Sequence, residues 1–419
     1  MTKPVVAVFY GAKSFEHDVS ILTGLEAYFC IDTTRYTPIP VYIDIEGNWW
    51  TGDDLLQRRN YPLSAGTKRR LGQTTLMVGN GKPFLRVKRR AILTHTTDIH
   101  FDCALLAFHG DYGEDGGFQG LFEALGIPYT GTRMLASSAF MNKRIAKRIL
   151  RTFDVPVLDD IFIPCPPKGK PVDIDALTKD IKVSYPVIVK PNALGSSVGL
   201  TKAKTKADLK AGLLKIFAMG ADALIEECIE NLQEFNVSVT NCLGKETRCS
   251  AIERPHPVDD DAILDFSQKY LGGVGKCGKL GGGKLGGGKL GGGKLGGAKM
   301  GVGMAAGGLL AMTRDLNPKD LSAKEADAIR TWAIKAYEAL LGTGVVRIDF
   351  LCDTKKRKFY LNEVNTIPGS LSFYLWVAAK PAVIYTDLLS GLIEQAFDEY
   401  AKRQGRTVTL TESKIFGRN

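Results

Sequence analysis

The sequence predicts an N-terminal α/β domain built on a mainly parallel sheet, followed by an α+β region in two parts. Three observations lead there. Apolar strand-length runs alternate with helical patterns over the first third of the chain, which is the rhythm of a parallel sheet with crossover helices. Beyond residue 140 that rhythm gives way to strands paired across short turns. The length, 419 residues, is enough for two or three domains with sizeable cores.

The elements follow in order. "VVAVFY" is a buried strand, "GAKSFEHD" a loop and "VSILTGLEAYFCI" a helix. "CALLAFHG", "DYGEDGG", "FQGLFEALG" and "IPYTG" repeat the order, so functional loops are expected at the carboxyl ends of the strands. Between the repeats, a polar stretch of about residues 45–95 containing "KPFLRVKRRAIL" reads as a small β excursion within an N-terminal domain of residues 1–139. In residues 140–232 a helix "AFMNKRIAKRILRTF" leads to the strand "YPVIVKP", the loop "NALGSSVG", the helix "KADLKAGLLKIFA" and the strand "ALIEECI". In residues 233–403 the strands "FNVSVTNC" and "RCSAIE" pair across "LGKE". Ser322 and Glu325 have capping-box spacing and open the helix "AKEADAIRTWAIKAYEALL". "GVVRIDFLC" and "KFYLNEVN" then form a hairpin about "DTKKRK", and residues 404–419 are a polar tail.

Composition narrows the function classes. Hydrophobic residues make up 44% and charged residues 24%, as in ordinary globular proteins. No apolar run approaches the length of a membrane span, and no basic-then-apolar leader opens the chain, so a cytoplasmic protein is expected. The eight cysteines include no CxxC pair and read as reduced core residues. The net charge is +10, but six lysines and no acid fall within residues 271–313, leaving +4 elsewhere. Those lysines belong largely to five near-identical pentads, "KLGGG" and variants, between Lys279 and Gly303, with no interleaved aromatic. Nucleic-acid binding is therefore not indicated. A period of five matches neither helix nor strand, so the tract demands no regular structure.

The hairpin carries the sharpest chemistry. Alternation puts Arg347 and Asp349 on one face and Val346, Ile348 and Phe350 on the other. With the register centred on residue 356, Asp349 faces Glu363 and Arg347 faces Asn365. Two directly opposed carboxylates repel unless a cation lies between them. An Asp, Glu and Asn oxygen set suits Mg²⁺; the alternative is a solvated polar face. In "VIVKPNALGSSVG", Lys190 precedes a Gly/Ser loop whose N–H groups, with Ser196 and Ser197, are able to cradle phosphate, or the loop is an ordinary turn.

Taken together, "GAKSFEHDVSILTG", "FHGDYGEDGGFQGLFEALGIPYTG", "MNKRIAK", "VIVKPNALGSSVG", "LIEECI", "DFSQKY", "VVRIDF" and "LNEVNTIPGSLSFYLW" resemble, in order, the blocks of the D-alanine–D-alanine ligase family over roughly residues 3–395. The resemblance implies an ATP-grasp fold in two subdomains, 140–232 and 233–403, with a lid at about 265–313 that the pentads expand. It implies ATP with two Mg²⁺ or Mn²⁺, D-alanine as substrate, a homodimer and a role in peptidoglycan precursor synthesis, with neither nucleic acid nor membrane as partner. Lys143 and Lys190 would contact the ATP phosphates beneath the loop holding Ser196 and Ser197, and Lys269 would reach the γ-phosphate. Glu226, Glu227 and Ile229 would hold adenine and Glu234 the ribose. Asp349, Glu363 and Asn365 would bind the metals. Glu16 would hold the first ammonium group within a triad with Ser196 and Tyr270, His109 would position substrate, and Arg347 would face the oxyanion. Tyr374 and Leu375 would lie at the second substrate.

The chain departs from the family pattern at Asn142, where Asp is usual, and at Phe266, where Tyr is common. Tyr374 stands in place of a serine, and Lys380–Pro381 in place of a glycine, which leaves the second-substrate pocket less defined. The alternatives are a ligase joining D-alanine to D-lactate or D-serine, or a catalytically silent ATP-binding regulator. Tyr270 after Lys269 speaks against lactate, and the intact Arg347, Asp349, Glu363 and Asn365 speak against silence.

Overall fold

The computed structural model describes residues 2–89, 95–167, 173–195, 198–244, 246–256, 314–339 and 342–404. Ser196, Ser197, Phe266, Lys269, Tyr270, the pentads and the tail beyond residue 404 lie outside the described residues.

The first sheet grows from β1 (Val5–Gly11), whose apolar run is buried on both faces. The crossover helix α1 (His17–Cys30) returns the chain to β2 (Thr37–Ile43), parallel to β1. From there β3 (Trp49–Thr51), the short α2 (Ala65–Arg70), β4 (Gly72–Gly79), β5 (Lys82–Arg89) and β6 (His95–His100) follow, before β7 (Cys103–Leu106) pairs parallel on the other side of β1. The strand order is β6-β5-β4-β3-β2-β1-β7. Among the described strands only β2, β1 and β7 are parallel, with Tyr129 of "IPYTG" adding an isolated parallel bridge to Ala104, so the sheet is mixed where a mainly parallel one was expected. The polar excursion forms β structure as expected, and β3–β6 extend the same sheet as an antiparallel meander. Its tightest turn is Asn80-Gly81, with φ of 51° and 72°, the pair of positive values a two-residue hairpin turn requires.

After α3 (Gly117–Ala124), α4 (Met134–Met141) and α5 (Lys143–Thr152) replace the single helix predicted over residues 139–153. Asn142 makes the break: its backbone is extended and its side chain accepts from the Ile145 N–H, capping α5.

A second sheet, order β10-β9-β11-β8, comprises β8 (Asp160–Ile163), β9 (Val187–Pro191), β10 (Thr201–Ala203) and β11 (Ala223–Glu227). The helices α6 (Ile174–Thr178) and α7 (Lys206–Ala218) cover it, and Leu209, Leu213 and Ile216 of α7 pack on Val187, Val189 and Ile225. The third sheet, order β14-β13-β12-β15-β16, is antiparallel throughout. Its strands are β12 (Leu232–Thr240), β13 (Arg248–Pro255), β14 (Arg314–Leu316), β15 (Val345–Asp353) and β16 (Lys358–Asn365), with α8 (Ala323–Glu338) on one face. Ile329, Ala333 and Tyr337 of α8 meet Val237, Ile348 and Phe350. The chain ends with α9 (Phe373–Val377) and α10 (Tyr385–Gln404), whose Trp376, Leu388, Leu389 and Leu392 join the core of the first sheet. The C-terminal segment thus ties the third sheet to the first.

The predicted capping box is present. The Glu325 N–H donates to Ser322 Oγ at 3.3 Å, and the Ser322 N–H donates to Glu325 Oε2 at 2.9 Å. Arg357, from the β15–β16 turn, grips the same carboxylate. Ser322→Ala should therefore lower unfolding stability by about 1 kcal/mol, read from a urea melt, with catalytic activity unchanged.

Candidate functional site

The β15–β16 ladder pairs Arg347 with Asn365 and Asp349 with Glu363, the register read from the sequence. Val346, Ile348 and Phe350 face the core as alternation demands. The opposite face is not solvated: Arg347 is 7% and Asp349 3% exposed. The Arg347 guanidinium holds Asp349 bidentately, Nε to Oδ1 at 2.7 Å and Nη2 to Oδ2 at 2.8 Å. Asn365 Nδ2 donates to Asp349 Oδ2 at 3.2 Å. Glu363 lies 3.6 Å from the Lys143 ammonium. Each of the two opposed carboxylates thus has its own cation.

One step further the register shifts, Phe350 pairing with Leu361, so Asn362 is an extra residue in β16. A bulge of this kind re-aims side chains. Here Asn362 Oδ1 accepts from Lys190 Nζ at 3.0 Å while its neighbour Glu363 faces Lys143. Lys143 opens α5, its N–H donating to the Asn192 carbonyl at 2.9 Å and its ammonium to the Leu194 carbonyl at 2.7 Å. The start of the Gly/Ser loop is thereby fixed to the helix N-terminus.

Beside Lys190 lies a cleft of about 850 Å³ between the second and third sheets. Leu158, Ile161, Val187, Ile225 and Tyr360 give it apolar walls, and Glu226, Glu227 and Ile229 line it. Glu234 stands half-buried on β12, opposite Leu351. Glu226 is 3% exposed and bonded to both Lys190, at 2.8 Å, and Lys147. Burial alone would raise its pKa, but the two ammonium groups hold it below the ordinary carboxylate value.

On the other side of Arg347 sit the loops of the first sheet. Glu16, 4% exposed at the start of α1, has its pKa raised to about 8 by burial and then by Glu114 and Glu363. Its carboxylate fits against Gly110, where an added Cβ would meet Oε2 at 2.8 Å. His109 is 2% exposed, and its Nε2 hydrogen-bonds Thr23 Oγ1 at 2.8 Å. Burial and the Arg347 charge hold its pKa down to about 3, so it is neutral at physiological pH. Thr23 also accepts from the Ser370 N–H at 3.0 Å. Ser370, Leu371 and Ser372 have φ of 50°, 49° and 53° in succession, a strained left-handed turn for residues with side chains.

Sequence reading missed Glu114. Its carboxylate accepts from the N–H of Gly110 at 2.9 Å and of Ile367 at 3.1 Å, joining the His109 loop to the exit of β16. Burial pushes its pKa up to about 7. The "HGDYGEDG" loop was the only sequence signal, and it does not distinguish Glu114 from its acidic neighbours.

The structure thus gathers Glu16, His109, Lys143, Arg347, Asp349, Glu363 and Asn365 at the meeting of the first and third sheets, and Lys190, Glu226, Glu227 and Ile229 in the adjoining cleft. Tyr374 is engaged otherwise: its hydroxyl donates to Glu253 Oε2 at 3.0 Å and its ring stacks under Arg314 at 4.6 Å. Leu375 is fully buried. Among the described residues, no group of three or more His, Cys, Asp or Glu is arranged to hold a metal. Asp349, Glu363 and Asn365 instead offer two carboxylates and an amide, an oxygen set that fits Mg²⁺ if water and phosphate oxygens complete its shell. Carboxylates also outnumber cations around Arg347, so the site has room for added positive charge.

Models of the D-Ala-D-Ala ligase N-terminus and C-terminus match residues 5–132, and residues 149–278 and 312–394. The chain is 29% identical over 408 residues to the D-alanine–D-alanine ligase of Thermosipho africanus, covering 97% of this chain and 96% of that protein. It is 30% identical over 408 residues to that of Staphylococcus epidermidis, covering 96% and 98%. Its fold is similar to the solved D-alanine–D-alanine ligase from Coxiella burnetii, with a TM-score of 0.69, 22% identity and 97% of each chain covered. By motif order, sheet topology and these likenesses, the chain belongs to the D-alanine–D-alanine ligase family of ATP-dependent ligases with the ATP-grasp fold.

Proposed function

We propose that this chain joins two molecules of D-alanine to D-alanyl-D-alanine through an acyl phosphate, converting ATP to ADP and phosphate, in the cytoplasm and for peptidoglycan precursor synthesis. A homodimer belongs to the same reading. The observation that carries it is the buried Glu16 beside Arg347: a carboxyl group whose pKa is raised to about 8 by burial, and then by Glu114 and Glu363, is stabilised as an anion when an ammonium group arrives.

A free carboxylate is a poor acyl donor, so the carboxylate of the first D-alanine attacks the γ-phosphorus and ADP leaves. Glu16 holds that substrate's ammonium group, and neutral His109 orients it. Adenine occupies the cleft at Glu226, Glu227 and Ile229, and Glu234 takes the ribose. Lys143 and Lys190 turn to the phosphates, where charge stabilisation dominates phosphoryl transfer. Asp349, Glu363 and Asn365 would hold two divalent cations, Mg²⁺ or Mn²⁺, which supply further neutralisation of phosphate charge. The amine of the second D-alanine then attacks the acyl carbon, phosphate departs, and Arg347 stabilises the oxyanion formed on the way. Ser196, Ser197, Lys269 and Tyr270 keep the roles implied by the family resemblance, as do Tyr374 and Leu375 at the second substrate.

Purified protein with ATP, Mg²⁺ and D-alanine should release phosphate only when D-alanine is present, and mass analysis should find the dipeptide. A mainly depsipeptide product from a D-alanine and D-lactate mixture at neutral pH would sink the assignment. Glu363→Gln should remove most turnover with an unchanged melting profile, since one metal-binding carboxylate is lost; a near-normal rate would remove Glu363 from the metal site. Because free Glu16 titrates near 8 and pairing with ammonium requires the anion, D-alanine binding at pH 7 should release a proton. Calorimetry in buffers of different ionisation heat should detect that release in the wild type and not in Glu16→Gln.

A further inference from the structure

Lys143 and Lys147 lie one turn apart on α5 and so share a helix face, yet only the first has work in the reaction proposed above. Lys147 is 2% exposed and sits among the largest fully buried side chains. Its ammonium donates to the Leu158 carbonyl at 3.0 Å and to Glu226 Oε1. The other oxygen, Glu226 Oε2, is held by Lys190 at 2.8 Å. A buried lysine is costly unless it is paired, and Lys147 spends its charge on a single carboxylate at the wall of the cleft.

The two lysines differ in what else they reach. Lys190 also contacts Asn362 Oδ1 at 3.0 Å, at the phosphate end of the site. Once its ammonium turns to phosphate, Glu226 keeps one cation, Lys147. A buried carboxylate without a cation takes up a proton and becomes a donor as well as an acceptor. An ionised one only accepts, which suits the 6-amino group of adenine and rejects the 6-keto oxygen of hypoxanthine or guanine. A site built for one pattern of donors and acceptors penalises the ligand that leaves its buried groups unpaired.

We propose that Lys147 is the positioning residue for purine selection, holding Glu226 fixed and acceptor-only and so setting the preference for ATP over 6-keto nucleotides. The proposal rests on the reading of the cleft as the adenine pocket. Lys147 touches no ligand; it acts through Glu226.

The test compares ATP with inosine triphosphate, which carries oxygen in place of the 6-amino group, as phosphate donor for D-alanine. In wild type the kcat/KM ratio should favour ATP by more than tenfold. In Lys147→Met that ratio should fall at least tenfold through the KM for ATP, with kcat at saturating ATP within about threefold of wild type. Lys147→Gln, which keeps a donor for Leu158 without the charge, should show the same collapse and serves if the methionine variant does not fold. Equal losses with both nucleotides and an unchanged ratio, in either folded variant, would reduce Lys147 to a packing role and overturn the proposal. A wild type without preference for ATP would instead overturn the adenine reading of the cleft, and the proposal with it.

Discussion

The bidentate pair between Arg347 and Asp349 is the constraint on which the site depends. Both residues lie on β15 two positions apart, so the strand pleat alone brings them side by side. Both are almost fully buried, where removing one partner of an ion pair strands the other's charge. The guanidinium acts beyond its partner: its charge lowers the pKa of Glu16, Glu114 and His109. Two loops from the first sheet, one carrying Glu16 and the other His109 and Glu114, thus converge on one cation whose place is set by the third sheet. The register of β15 against β12 and β16 therefore sets where the charge at the centre of the site lies.

The bulge at Asn362 does complementary work on the other strand. Regular alternation would send Asn362 and Glu363 to opposite faces. The extra residue lets Asn362 meet Lys190 while Glu363 meets Lys143, so neighbouring residues serve lysines from β9 and α5. The left-handed turn after β16 plays a similar part towards the first sheet: Thr23 and Glu114 hold its main chain through Ser370 and Ile367.

What the sequence disclosed depended on how local the cause was. The Arg347–Asn365 and Asp349–Glu363 register follows from turn length and alternation, and both were legible. The bulge one pair further on leaves no Gly or Pro in β16, so nothing marked it. The antiparallel extension of the first sheet was readable from Asn80-Gly81, a hairpin signal passed over in favour of the polar composition around it. Asn142 stands out as a departure from a family pattern, but it ends one helix and caps the next through its own bond from the Ile145 N–H, beside the Asn192 contact that anchors Lys143. Lys147 was illegible for a plainer reason. In "NKRIAKR" every basic residue looks solvated, and only tertiary packing shows that this one is buried.

The site is partly neutralised from within. Lys143 with Glu363, Lys190 with Glu226 and Arg347 with Asp349 each pair a group proposed for phosphate or oxyanion with one proposed for metal or adenine. On the proposed reading, ligand binding would be an exchange of ion pairs, in which ATP phosphates would draw the lysines away and cations would replace them beside the carboxylates. Such an exchange avoids the large desolvation cost of leaving buried charges unpaired at any stage. It also couples the ligands, because phosphate without metal would strand Glu363 and metal without phosphate would crowd Lys143. In the proposed reading the pair between Glu226 and Lys147 stands outside this exchange, since Lys147 is held between Glu226 and the Leu158 carbonyl at the wall of the cleft. A cleft that must trade its charges at one end needs a pair at the other that does not move.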